Sequence, residues 1–210
     1  MSADAPKHIP SATHLAEFVM LKGARQPACV RKHHRQVDAQ SDQRQFAYFY
    51  GRLYAAVRRH VRAGFQSDDV SRAIAAATTQ QRPSFQEVAD GLVPALQSLG
   101  ATDGRTVRHR QYYDDPDGEH LVSVYPHFAL TLRDGADMYV HVYTSKATLT
   151  ASAGAMLVEL LTGAFPGEHV AVIDARRGTV VLPQSGSLRT TGDALRSHLD
   201  AYLSLWDTAA

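Results

Sequence analysis

Apolar residues recur along this chain first with the period of a helix and later with the period of a strand. Phe46, Phe49, Tyr50, Leu53, Val57 and Val61 share one side of a helix predicted over 44–62, with Arg44, Tyr48, Arg52, Arg59 and Arg62 broadly on the other. Gly64 closes it, and Ser67, followed by Asp68 and Asp69, caps a second helix running to about Ala77. Pro83-Ser84-Phe85-Gln86-Glu87 opens a third helix, with Ser84 and Glu87 spaced as a capping box and Phe85, Val88, Leu92, Leu96 and Leu99 as its buried stripe. Beyond Gly100 the period becomes two. Strands are predicted over Thr106–Tyr113 and Leu121–Tyr125, with an acidic Pro-Gly turn between them. The strongest local signal is a hairpin about Asp134-Gly135. There Phe128, Leu130 and Leu132 alternate with His127, Ala129 and Thr131, and Met138, Val140 and Val142 alternate with Tyr139, His141 and Tyr143. Thr150 caps a helix carrying Leu157, Leu160 and Leu161. Strands over Val170–Asp174 and Thr179–Leu182 follow, and a last helix from Gly192 lines up Leu195, Leu199, Tyr202, Leu203 and Trp206.

The predicted class is α+β: N-terminal helices, then an α-β-β-β-α-β-β-α core with a central sheet flanked by helices. Three segments are expected: a flexible basic arm over 1–43 with at most a short helix at Leu15–Leu21, a basic helical pair over 44–80, and an α+β domain over 81–210. At 210 residues, 44% hydrophobic and 20% charged, the chain can bury a sizeable core. Collagen, rod-like coiled coil, disulfide scaffold and wholesale disorder are excluded. The single cysteine, Cys29, implies no internal disulfide, no cysteine-based zinc site and no CxxC redox pair. No apolar run approaches the ~18 residues of a spanning helix, and Met1–Pro10 lacks a signal-peptide core, so a cytoplasmic protein without membrane contact is expected.

Charge changes the picture more than composition does. From Lys22 to Arg62 there are ten Lys/Arg against two Asp, whereas residues 63–210 hold eleven Lys/Arg against seventeen Asp/Glu. A basic front on an acidic body points to a phosphate backbone, DNA or RNA, contacted through Arg52, Arg58, Arg59 and Arg62 without sequence readout, with Arg176 and Arg177 as weaker contributors. The alternative is a solvated face that packs on the acidic body.

Signatures of phosphate-loop, dinucleotide, zincin and nucleophile-elbow chemistry are missing. The order helix, three-stranded meander, helix, strand over roughly 84–182 resembles the core of the PD-(D/E)XK nucleases. The hairpin Phe128–Leu132/Met138–Tyr143 looks like that family's active hairpin, and Ala171–Gly178 looks like the strand and turn after its second helix. The resemblance implies an Asp and a Glu-x-Lys on one hairpin face, holding a divalent metal. Here that face offers Ala129, His141 and Tyr143, Lys146 lies beyond the strand end, and Glu87 matches only an auxiliary carboxylate. The implied protein is a nuclease-like scaffold without nuclease chemistry, and no cofactor is expected.

Two other readings stay open. The same element order is similar to chaperone-like scaffolds of the type III secretion kind. That implies a protein partner or a homodimer, held through the aromatic side of the 44–62 helix or the seam of the last helix. His127 and His141, which share a hairpin face beside Tyr143, are candidates for a catalytic or metal pair, with His109 and His120 on neighbouring strands. A mixed sheet with the 170–174 strand parallel to the first strand would favour the nuclease-like core, and a wholly antiparallel one the chaperone-like alternative.

Overall fold

The computed structural model describes residues 8–38, 49–184 and 188–208, the side chains of 188–192 excepted. The described helices are α1 (Ala12–Val19), α2 (Arg25–Asp38), α3 (Gly51–Arg62), α4 (Asp69–Ala75), α5 (Arg82–Ser98), α6 (Ala151–Ala164) and α7 (Leu188–Asp207). The strands are β1 (Ala101–Arg105), β2 (Gln111–Asp114), β3 (His120–Val124), β4 (Phe128–Leu132), β5 (Asp137–Tyr143), β6 (His169–Asp174) and β7 (Thr179–Val181). The class is α+β, as the sequence implies.

A mixed five-stranded sheet runs in the order β1-β4-β5-β6-β7, and β2-β3 is a separate hairpin. β5 and β6 pair in parallel while the other neighbours are antiparallel, so β6 runs in the direction of β1. α6 makes the crossover that a parallel pair requires.

The sheet separates two cores. On one side Met138, Val140 and Val142 of β5 meet Leu53, Val57 and Val61 of α3 and Phe85, Leu92 and Leu96 of α5. On the other, Val170 and Val172 of β6 meet Leu157 and Leu161 of α6, Leu15 and Phe18 of α1, Val30 of α2, and Leu199 and Tyr202 of α7. Leu53, Val57 and Val61 of α3 and Leu195, Leu199, Tyr202 and Trp206 of α7 are buried within the chain, while Phe49, Tyr50 and Tyr54 are half-buried.

Four local expectations need correction. Within the supposed flexible arm, α1 and α2 are helices packed on the second core. α1 is capped by the Ser11 hydroxyl, which accepts from the His14 amide at 3.1 Å. The inward stripe of α2 is Cys29, Val30 and His33, so two of its three buried positions read as polar or reactive in a sequence. The first sheet strand is Ala101–Arg105, an edge strand whose inward positions are only Ala101 and Gly104 and carry no apolar alternation. Residues 106–110 are irregular and the next strand begins at Gln111. The Ser84/Glu87 capping box does not form: α5 starts at Arg82 with Pro83 in its first turn, and Ser84 and Glu87 serve Arg176 instead. The aromatic helix begins at Gly51, and Arg44, Phe46 and Tyr48 lie outside the described residues.

The turn between β6 and β7 is seated directly on α5. A Cβ at Gly91 would stand 2.1 Å from the Ala175 carbonyl oxygen and 2.7 Å from the Gly178 amide nitrogen, both rigid backbone. Gly91→Ala should destabilise the protein by about 3 kcal/mol through overpacking, read as a lowered urea midpoint. An unchanged midpoint would mean that α5 does not rest on this turn.

Candidate functional site

The basic residues singled out in the sequence are mostly engaged. Arg59 Nε donates to Asp69 Oδ1 at 2.8 Å. Arg62 Nε donates to Asp103 Oδ1 at 2.7 Å, and its Nη2 donates to the Gly104 carbonyl. These hydrogen bonds hold the Asp69 and Asp103 carboxyls below the usual carboxylate range. Arg176 is a buried strut: it donates to the Thr144 carbonyl and the Ser84 hydroxyl, each at 2.7 Å, and pairs with Glu87. Arg177 pairs with Asp174 and donates to the carbonyls of Ser145 and Ala147. Arg52 is exposed and makes no side-chain bond to another described residue. The acidic body thus neutralises much of the basic helix, and Arg59, Arg62, Arg176 and Arg177 do not form one open cationic face.

Arg58 does something different. It lies inward over the Phe128 ring, 5.5 Å from its centroid, and Nη1 donates to the His127 carbonyl at 3.4 Å. Gly104 makes the room, since a Cβ there would come 3.2 Å from Arg58 Cγ. Beside it lies a cavity of about 560 Å³ between the amino end of α1, α3, the 106–110 segment, β3, the start of β4 and the end of β5. Its walls include Ser11, Thr13, Tyr54, Arg58, Thr106, Arg110, Ser123, Tyr125, His127 and His141, with no carboxylate among the described residues.

The two histidines come together as hairpin parity predicts, their ring centroids 4.9 Å apart and edge to face. His141 is buried and both nitrogens are occupied: Nδ1 donates to the Tyr125 carbonyl at 3.3 Å, so Nε2 accepts from the Thr13 hydroxyl at 3.5 Å. His127 Nδ1 accepts from the Val142 amide at 3.0 Å, which leaves the hydrogen on Nε2, without a partner among the described residues. Burial pushes His141 down to about 4. Burial, then His141 and Arg58, push His127 well below its ordinary value. Both rings are therefore neutral near pH 7.

A metal on this pair is not favoured, because His141 has no free nitrogen and no third ligand joins the pair among the described residues. Tyr143 follows on the same strand but is buried elsewhere, its hydroxyl donating to Met20 Sδ at 3.6 Å. His109 and His120 are not in the cavity wall; His120 Nδ1 pairs with Asp114 at 2.7 Å. The acidic turn closes on itself, Asp115 Oδ1 accepting from the amides of Asp117 and Glu119.

Sequence reasoning missed a second cluster. Glu17 of α1 and Cys29 and His33 of α2 place one ligand-type atom each within 4.8 Å of one another. The signal was available as the i, i+4 spacing of Cys29 and His33, but only if α2 is recognised as a helix.

His141 makes stability depend on pH. Its folded pKa, about 4, lies below the unfolded value of 6.5. Its contribution is therefore complete above about pH 6.5 and is lost as pH falls toward 4, by on the order of 3 kcal/mol. Urea midpoints should fall across that window, and His141→Gln should flatten the fall. A wild-type profile level from pH 7 to 4 would contradict a buried neutral His141.

No protein-family model and no curated protein matches this chain, so its function has to be argued from its own chemistry.

Proposed function

We propose that this protein binds a phosphorylated ligand of nucleotide size in the cavity between α1 and α3, on a nuclease-like scaffold that lacks the nuclease carboxylates. One observation carries the reading: the cavity collects two arginines and several neutral donors with no acidic side chain among its described lining residues. Arg58 and Arg110 supply charge and fork-shaped donors suited to a phosphoryl group. Ser11, Ala12 and Thr13 bring the first turn of α1 to the wall, and helix amino ends favour anions. His127 Nε2–H and the Tyr54 hydroxyl are donors already inside the cavity. The Tyr125 ring, 43% exposed, offers a stacking surface for a base. About 560 Å³ suits a mononucleotide-sized molecule.

The order α5-β1-β4-β5-α6-β6, with β6 in the direction of β1, supports the nuclease-like scaffold. On the β4–β5 hairpin, Ala129, His141 and Tyr143 stand where that family carries carboxylates and a lysine, which supports binding rather than metal-assisted hydrolysis. The nucleic-acid reading moves from the exposed arginine face to this cavity, where a strand terminus and a free nucleotide would present the same phosphate.

Calorimetric titration separates these sources: nucleoside mono- and diphosphates in one arm, 5′-phosphorylated and unphosphorylated oligonucleotides in the other. Binding in either phosphorylated arm, weakened about 10- to 100-fold in Arg58→Gln and Arg110→Gln, is the expected result. No binding in any arm at low salt, or equal binding by the variants, overturns the reading.

A protein-interaction alternative rests on a separate groove between α4 and α5, about 660 Å³ and floored by half-buried Val70, Ile74 and Val93. If copies of the chain associate there, sedimentation velocity shows a dimer that Val93→Glu dissociates.

A further inference from the structure

We propose that Glu17, Cys29 and His33 form a three-ligand site for a thiophilic transition-metal ion of the zinc class, holding α1 to α2 and separate from the cavity. The three residues come from facing helices: Glu17 from α1, and Cys29 and His33 one turn apart on α2. His33 is fully buried and Cys29 nearly so.

The two separations to His33 are close to the edges of a tetrahedron around one ion, and all three ligand atoms lie within 4.8 Å of one another. Zinc–ligand lengths of about 2.3 Å to sulfur and about 2.0–2.1 Å to nitrogen or oxygen set the edges of the tetrahedron at about 3.3–3.6 Å. Cys29 Sγ lies 3.5 Å from His33 Nε2, and Glu17 Oε2 lies 3.2 Å from the same nitrogen. All three donors therefore converge on one region instead of forming a chain.

That convergence separates a metal site from a nucleophile relay. In a Cys-His-acid relay the imidazole uses one nitrogen for the thiol and the other for the carboxylate. Here Nε2 is the ring nitrogen nearer to both, with Cys29 Sγ also 4.0 Å from Nδ1, and Nδ1 faces the Tyr202 hydroxyl of α7 at 3.2 Å. An imidazole that ligates through one nitrogen and is held by a hydrogen bond at the other is the usual arrangement of a metal-bound histidine. A bound cation would hold Cys29 as the thiolate that ligation requires.

The neighbouring charges are compatible with a cation. Lys32 Nζ lies 3.2 Å from Glu17 Oε2. Its side chain is half-exposed and long enough to swing into solvent when an ion takes over that charge. The His14 ring stacks parallel on His33 at 4.1 Å, so its in-plane lone pair does not point at the donors, and the fourth position falls to water.

The test is a Co²⁺ titration of the metal-free full-length protein, followed by optical absorption and competition with Zn²⁺. The expected result is one equivalent of Co²⁺ with tetrahedral d–d bands and a thiolate-to-cobalt charge-transfer band, both displaced by Zn²⁺. Cys29→Ser should lose the charge-transfer band, and Glu17→Gln should bind at least about 10-fold more weakly. Tyr202→Phe, which removes only the bond to His33 Nδ1, should weaken binding by about 10-fold with the spectrum unchanged in form. Lys32→Ala should bind at least as tightly as the wild type. Circular dichroism checks that each variant folds; if the ligand variants do not, the wild-type spectrum and Tyr202→Phe still decide. Folded wild-type protein with only octahedral cobalt absorption, or a Co²⁺ affinity undiminished in folded Glu17→Gln and Tyr202→Phe, overturns the proposal.

Discussion

The structure turns on β5, a strand buried on both sides. It pairs antiparallel with β4 and parallel with β6, and alternate residues feed two separate cores. A doubly buried strand must satisfy every polar group without water. Met138, Val140 and Val142 meet this by being apolar on the α3–α5 side. His141, on the opposite side, meets it through the Tyr125 carbonyl and the Thr13 hydroxyl. Through these two bonds, together with the Ser11–Ser123 bridge, the strand fixes where β3 and the start of α1 lie. The cavity is the space left between those elements and α3.

Electrostatics then sorts the arginines by neighbour instead of by sequence position. Arg59 and Arg62 project from α3 toward Asp69 and Asp103 and are paired at the surface, where each pair contributes little net stability. Arg176 is covered and tied to α5 and to the segment after β5, so it acts as a strut for the β6–β7 turn. Arg58 alone of the α3 arginines leans over an aromatic ring into the cavity. A charge count over 22–62 weighs all of these alike, although their surroundings assign them different work.

Much of the fold could be read from periodicity. The β4–β5 hairpin, the caps on α1's sister elements such as Thr150 on α6, and the apolar stripes of α5 and α7 follow from side-chain spacing and turn chemistry. Periodicity failed where burial is achieved by small or polar residues. β1 buries Ala101 and Gly104, and α2 buries Cys29 and His33, so neither has an apolar signature.

The same division holds for the candidate sites. The sequence by itself determined the α+β class, the charge asymmetry and the shared face of His127 and His141, because these depend on composition or on neighbours a few residues apart. Only the tertiary structure decided that His141 has no free nitrogen, that Arg58 turns inward while Arg59 and Arg62 are neutralised, and that Glu17 meets Cys29 and His33. Those contacts join residues distant in the chain or on different elements, and what a side chain can do is set by what packs against it.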